Sequence, residues 1–377
     1  MDYAKLLEKR DDTHPLYVQL KEALTGAIGS GDLPTGTRLP SERELARELG
    51  LSRTTVVSAY RELESLGLVR SHVGRGTFVC AVPEPGDAPF AWRGKVSWRV
   101  ENLGGKLSLR HLMNGNQDDQ FISFAAGEPA FECFPLEEYR RVITQTLKQH
   151  ARLALGLAPT EGQSVLRRAV ARRFGTMPER ILILSGSQQG IDLIARCLID
   201  HGDTIIIDRP GYVGAIQTFR AAGANIVGWD VVRADLDELE DLIVRHRPKL
   251  IYTDPTFQNT TGRTMALKER QDLLKLAARY RIPIIEDDPW RETYLDSPPP
   301  LSLYQLDVHN IVIHLGTFSK VLAPGLRLGW LAASEYIIDQ LASIKQHENL
   351  FNEGLTQIAI AEFLQSGLFD SHLENLR

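Results

Sequence analysis

The chain has little cysteine, no long apolar run and no excess of positive charge. Its 377 residues hold three cysteines, Cys80, Cys133 and Cys197, far apart from one another. They show no metal-ligand spacing, and a chain this large does not depend on a disulfide framework, so they read as reduced and structural, with no metal site expected. No apolar stretch approaches the roughly 18 residues that span a bilayer. The first residues, MDYAKLLEKRDD, are charged and lack the apolar centre of a secretory leader. Together these absences point to a cytoplasmic protein with no membrane partner. The net charge of −5 excludes a globally basic polyanion binder, so any nucleic-acid contact must come from a local patch. What remains is ordinary: 43% hydrophobic and 24% charged residues in a chain long enough for two or three domains.

Residues 1–80 read as a small helical module with a hairpin. Leu16, Leu20, Leu24 and Ile28 recur at helical spacing. Ser41 followed by Glu44 predicts a capping box, and Gly50 ends the helix that it opens. Ser52 caps the next helix, which runs to about Leu66. Two short helices about a tight Gly-Leu-Ser turn suggest a helix-turn-helix. On the second, Val56, Tyr60 and Leu63 share the core side; Arg53, Thr54, Val57, Ser58 and Arg61 share the other. LVRSHVGRGTFV then predicts two short strands around Gly74-Arg75-Gly76, a wing. From His14 to Cys80 there are eight basic and seven acidic residues, a balance that also suits a protein-contact module. The basic groups nevertheless gather between Arg38 and Arg53 and at the wing. The pattern PLYVQL…PTGTRLPSERELARELGLSRTTVVSAYRELESLGLV…GRGTFV resembles the GntR-type winged helix. That resemblance implies double-stranded operator DNA as partner, contacts by Arg43, Ser52, Arg53, Thr54, Thr55, Gly74 and Arg75, and a homodimer on a two-fold site.

Residues 81–120 are rich in proline, glycine and polar residues and predict a linker. Phe90, Trp92 and Trp98 suggest that part of it docks on a surface.

From 121 to 377 short apolar strands alternate with amphipathic helices, the pattern of an α/β fold with a mostly parallel sheet. Polar residues follow five of the strands: SGSQQG after 180–184, DRPGY after 204–207, TDPTFQNTTG after 250–252, EDDPW after 282–285, and GTFSK after 310–314. In a parallel sheet such strand ends share one edge, where ligands bind. Ser187 and Gln188 open a helix whose free N–H groups can hold a phosphate. Asp287 ends a buried strand. Tyr212, Asn259 and Lys320 each have an ordinary explanation when taken alone, as packing, turn and solvated residues; their order and spacing carry the signal. Lys320 within GTFSKVLAPGLRLGW, together with the other four loops, resembles class I/II aminotransferases of the aminoadipate and kynurenine branch, which are fold-type I enzymes dependent on pyridoxal 5'-phosphate.

That resemblance implies Lys320 as the catalytic, Schiff-base lysine. It implies Gly186, Ser187, Gln188, Thr317, Ser319 and Arg327 around the cofactor phosphate, and Tyr212, Asn259 and Asp287 around its ring. Joined to a GntR-type winged helix, the domain resembles the MocR subfamily of transcription regulators. There the aminotransferase-like part senses the cofactor or an amino-compound effector. A working aminotransferase with an attached DNA module, or a cofactor-free dimer scaffold, remain as alternatives. Thr260 stands where the family has proline, which is expected to alter the turn and the aim of Asn259. Trp290 stands where many relatives have a tyrosine that bonds the cofactor oxygen, and indole accepts no hydrogen bond. The chain stops at Arg377 inside a helical pattern, whereas relatives continue into a small subdomain that carries the substrate-carboxylate arginine. The small C-terminal subdomain is therefore expected to be truncated.

Overall fold

A computed structural model of the chain describes residues 3, 15–72, 76–80, 127 and 129–377. The linker at 81–120, with Phe90, Trp92 and Trp98, and the wing residues Gly74 and Arg75 lie outside the described residues. The chain divides into two compact units, Met1–Glu101 and Asn102–Arg377. Among the described residues no helix is long and apolar enough to cross a membrane, and Cys80, Cys133 and Cys197 carry free thiols.

The first unit has helices α1 (Leu16–Gly29), α2 (Glu42–Leu49) and α3 (Arg53–Ser65), then strands β1 (Val69–His72) and β2 (Gly76–Val79). Local chemistry accounts for most of it. Glu44 N–H donates to Ser41 Oγ at 3.3 Å and Ser41 N–H to Glu44 Oε2 at 2.9 Å, which closes the capping box. Gly50 ends α2 at φ 64°, a left-handed value that glycine adopts without steric cost. Ser52 Oγ accepts Thr55 N–H at 3.1 Å and starts α3. The strands pair antiparallel from Val69↔Val79 to His72↔Gly76. Leu20, Leu24, Leu45, Leu49, Val56, Tyr60 and Leu63 are buried together, as the helical spacing predicts. Leu16 is not: at the first residue of α1 it is 37% exposed, because the stripe begins one turn later.

The second unit is a seven-stranded sheet of β3 (Ile181–Leu184), β4 (Thr204–Arg209), β5 (Asn225–Asp230), β6 (Leu250–Thr253), β7 (Ile284–Asp287), β8 (Val312–Thr317) and β9 (Gly329–Ala332). Their spatial order is β3-β9-β8-β7-β6-β4-β5. Every pair from β8 to β5 is parallel. β9 runs antiparallel to both β8 and β3, so β3 points the same way as the parallel strands. Before the strands come α4 (Leu136–Leu155) and α5 (Ser164–Phe174); between them lie α6 (Ser187–Leu198), α7 (Val213–Ala221), α8 (Leu236–His246), α9 (Leu267–Tyr280) and α10 (Leu303–Leu306); α11 (Glu335–Asn349), α12 (Gly354–Gln365) and α13 (Leu368–Leu376) follow. The strands read as continuous apolar runs because both faces are covered. Ile205 and Ile207 join one core while Ile206, between them, joins another on the opposite face.

The structure corrects two sequence-based expectations. β8 extends through Gly316 and Thr317, beyond the predicted stop at 314, because its end pairs with β9 at Gly316↔Trp330 and Thr317↔Gly329. β5 and β9 were not anticipated: Asn225–Asp230 mixes polar residues with apolar ones, and β9 is only four residues long.

Candidate functional site

The C-terminal ends of β3, β4, β6, β7 and β8 share one edge, and the five polar loops leave from it. At the β3 end, Gly186 (φ 93°) leads directly into α6, whose first residue is Ser187 and which has no side-chain cap. Its first N–H groups therefore face outward with the positive end of the helix dipole. Arg327, at φ 46° after the single turn Pro324–Leu326, sends Nη2 to Ser185 O at 3.3 Å. A Cβ on Gly186 would stand 2.8 Å from that Nη2, and one on Gly329 would stand 2.9 Å from Ser187 N. The guanidinium, the helix start and the first residue of β9 thus meet where only glycine leaves room. Thr317 Oγ1 accepts Ser319 N–H at 3.1 Å and holds the next loop in a tight turn.

Farther along the edge, Tyr212 Oη donates to Gln188 Oε1 at 3.0 Å, and Gln188 Nε2 donates to Thr218 Oγ1 at 2.8 Å. Gln188 is thereby fixed to Tyr212 and α7. Burial, with Asp287 nearby, pushes the Tyr212 phenol up to about 12. Asp287 is 5% exposed. Tyr252 donates a short hydrogen bond to its Oδ2, while its Oδ1 is buried with no partner. Burial pushes the Asp287 carboxyl up to about 6, against the lowering effect of Tyr252. Two more buried acids stand beside it. Asp208 is pushed up to about 7 by burial and the charge of Asp287. Asp254 is raised well above the carboxylate range by burial and by Asp287 and Asp208. Asp208 Oδ2 accepts Asp254 N–H at 2.8 Å, which ties the β4 end to the β6 end. Sequence reasoning missed Tyr252, Asp208 and Asp254. The available signal was an acid or a tyrosine at the end of an otherwise apolar strand.

Asn259 lies in the turn where Thr260 stands in place of the expected proline, and hydrogen bonds hold that turn. Asp254 Oδ2 accepts Asn259 N–H at 2.8 Å. Gln258 Oε1 accepts Thr260 N–H at 3.1 Å, Thr261 N–H at 3.0 Å and the Thr261 hydroxyl at 2.7 Å. Gln258 Nε2 donates to Pro210 O at 2.8 Å and joins this loop to the one bearing Tyr212. Threonine at 260 brings an N–H that proline lacks, and Gln258 takes it up.

Lys320 is half-buried. Its Nζ donates to Gly127 O at 3.1 Å and lies 5.1 Å from the centre of the Trp290 ring.

Below the edge, Glu286, Asp288 and His314 bring ligand-capable atoms within 4.8 Å of one another. Their bonds belong to the fold. Glu286 Oε1 accepts Leu303 N–H at 2.6 Å, and its Oε2 accepts Tyr304 N–H at 3.0 Å and meets His314 Nδ1 at 2.9 Å. Burial raises the Glu286 carboxyl, but His314, Arg291 and the Tyr304 N–H outweigh that and hold it low.

In the winged helix, Arg43, Ser52, Arg53 and Thr54 are exposed and Thr55 is half-buried. Ser52 Oγ lies 2.8 Å from Thr54 Oγ1 and 2.7 Å from Thr55 Oγ1. Arg53 Nη2 pairs with Glu42 at 3.0 Å; with 61% of its side chain exposed, the pair is weak and open to exchange. Gly74 and Arg75 fall outside the described residues.

Comparison with known proteins adds names to this geometry. Residues 119–377 match the family described as aminotransferase class I and II, and residues 16–79 match bacterial regulatory proteins of the gntR family. The chain is 32% identical over 382 residues to the probable rhizopine catabolism regulatory protein MocR of Rhizobium meliloti, covering 99% of this chain and 76% of that one. It is 31% identical over 381 residues to the uncharacterized HTH-type transcriptional regulator YdfD of Bacillus subtilis (strain 168), covering 98% and 78%. The crystal structure of LysN, an alpha-aminoadipate aminotransferase from Thermus thermophilus complexed with N-(5'-phosphopyridoxyl)-L-leucine, superposes with a TM-score of 0.71 at 35% identity, covering 76% of this chain and 74% of that one.

Proposed function

Because the chain belongs to the MocR-type regulators, a GntR-family winged helix fused to an aminotransferase class I and II domain, we propose that it binds operator DNA through its first unit and senses pyridoxal phosphate and an amino compound through its second. The family implies that cofactor, and the residues fit it. The observation that carries the reading is Asp287 Oδ1, a buried carboxylate oxygen without a partner, on the same sheet edge as the glycine-lined cradle of Gly186, Ser187 and Arg327. A buried unpaired acceptor costs stability unless a ligand satisfies it.

In this reading the Ser187 end of α6, the Arg327 guanidinium and the hydroxyls of Thr317 and Ser319 bind the phosphate; the planar, permanently charged guanidinium suits it. Asp287 keeps a proton on the ring nitrogen. Tyr212, anchored through Gln188, covers the ring, and Asn259 donates to its phenolic oxygen. When bound, pyridoxal phosphate supplies an aldehyde that condenses with a primary amine and a ring that withdraws electrons. Lys320 provides the primary amine. A homodimer presents two winged helices to a two-fold site, and an amino compound shifts the balance between dimer states of different DNA affinity.

The test is an absorption spectrum of the full chain with pyridoxal phosphate, before and after borohydride, beside Lys320→Ala. Operator binding is then measured at moderate salt with and without cofactor and candidate amines. A visible band that reduction fixes on Lys320, together with specific binding to DNA near the chain's own gene, supports the reading; absence of both overturns it. The second reading, a working aminotransferase, is favoured by the simultaneous presence of Lys320, Asp287 and Tyr212. Turnover of an amino acid with a keto acid would support it.

A further inference from the structure

The setting of Lys320 holds more than the reading above uses. Among the partners of its Nζ are Gly127 O, which accepts at 3.1 Å, and the Trp290 indole face, 5.1 Å from Nζ to the ring centre. Those partners also press on each other. Gly127 has φ 52°, and a Cβ there would stand 2.9 Å from Trp290 Cη2 and 3.3 Å from Trp290 Cζ2. Glycine is thus needed at 127 twice, for its left-handed backbone and for the room that the indole fills. A carbonyl oxygen and the negative face of an indole both attract an ammonium group more strongly than a neutral amine. The neutral amine is the nucleophile.

We infer that Gly127 and Trp290 form a cage that holds the Lys320 ammonium in reserve and restrains its attack on an aldehyde, so that Trp290 is a positioning residue for cofactor attachment. This rests on the reading of Lys320 as the attachment point. Attachment requires the ammonium to give one proton to solvent. The freed lone pair then adds to the aldehyde carbon. The two remaining N–H hydrogens leave with the aldehyde oxygen as water, and a carbon–nitrogen double bond forms. The cage acts on the first step, before the cofactor's own chemistry begins. A cation–π contact open to solvent, as this one is, restrains the amine by about two- to fivefold. A lysine so held attaches its cofactor slowly, which suits a sensor that reports on ligand level more than an enzyme that cycles.

The experiment uses the full chain, mixed with pyridoxal phosphate over a range of concentrations and quenched with borohydride at timed intervals. Peptide mass analysis counts the tagged Lys320. The limiting rate at saturation reports the reactivity of the amine, and the half-saturating concentration reports cofactor binding. Trp290→Leu removes the indole face; Trp290→Phe keeps a weaker one. Gly127→Ala displaces the indole without deleting it, and remains informative if the Leu variant folds poorly. We expect a limiting rate about two- to fivefold faster for Trp290→Leu, an intermediate rate for Trp290→Phe, and a gain for Gly127→Ala. A merely structural role would slow all three. The cage is overturned if Lys320 is tagged but the Leu and Ala variants are no faster than wild type. It is also overturned if only the half-saturating concentration moves. If Lys320 is tagged in no chain, the reading of Lys320 itself fails and the cage falls with it.

Discussion

The two units place their candidate binding groups in opposite ways. In the winged helix, Ser52, Arg53, Thr54 and Thr55 are consecutive and mostly exposed, and one helix start orients them. In the large unit, Gly186, Tyr212, Asn259, Asp287, and Lys320 with Arg327 come from five strand ends far apart in the chain, and the sheet brings those ends to one edge. Apart from Ser52, whose hydroxyl caps α3, the exposed set can be altered with little effect on folding, because solvent reaches those groups. In the large unit's set, Asp287 is buried, and with Asp208 and Asp254 it is held against the solvation preference of a carboxylate, so geometry and stability are linked there.

The largest expected effect separates the units outright. Lys320→Ala should abolish borohydride-stable attachment of pyridoxal phosphate while cofactor-free operator affinity changes less than about twofold, a cost below about 0.5 kcal/mol. A parallel loss of both would show that the units are not separable. Next comes Gly186→Ala. A left-handed φ of 93° and a contact of 2.8 Å with Arg327 should weaken cofactor affinity by about tenfold or more, roughly 1.4 kcal/mol, in an equilibrium titration.

A third prediction concerns pH. Asp208 is raised to about 7 and Asp287 to about 6, each from an ordinary value of 3.8. The folded state therefore binds these protons more tightly than the unfolded state. The stability they confer is present below about pH 4 and is lost as pH rises through 6 to 7. Urea melts of the cofactor-free chain should show the large unit weakening across that window. Asp208→Asn, which keeps an acceptor for Asp254 N–H, should flatten the fall by about 2–4 kcal/mol at pH 8. An unchanged slope would mean that these acids do not titrate as a group. The smallest effect returns to the winged helix: Ser52→Ala removes the cap of α3 and should cost that unit about 1 kcal/mol, read as a lower melting temperature.

Legibility in the sequence follows the same division. The capping box at Ser41 and Glu44, the stop at Gly50 and the buried stripe of Val56, Tyr60 and Leu63 could be read directly, because each depends on residues within a turn or two of itself. The strand-end loops could be read as candidates, and the resemblance of Lys320 and its neighbours to aminotransferases ordered them. The acid cluster could not. Nothing in TIIID or LIYTD says that Asp208 will accept from Asp254 N–H, since that bond joins two strands that are neighbours only in the sheet. What holds Thr260 was illegible for the same kind of reason. Read alone it removes a stiffening proline; in the fold, the side chain of Gln258 replaces that restraint.

By itself, then, the sequence determined the family, the two kinds of unit, the helix boundaries of the first and the order of the polar strand-end loops in the second, because periodicity, caps and motifs act over short stretches of chain. Only the tertiary structure decided that β9 reverses and keeps β3 aligned with the parallel strands, that Arg327 meets Gly186, that three carboxylates share one buried edge, and that Trp290 and Gly127 close on Lys320. Each of these is a contact across the sheet or between distant loops. Its energy depends on burial and on distance, and neither exists until the chain has folded.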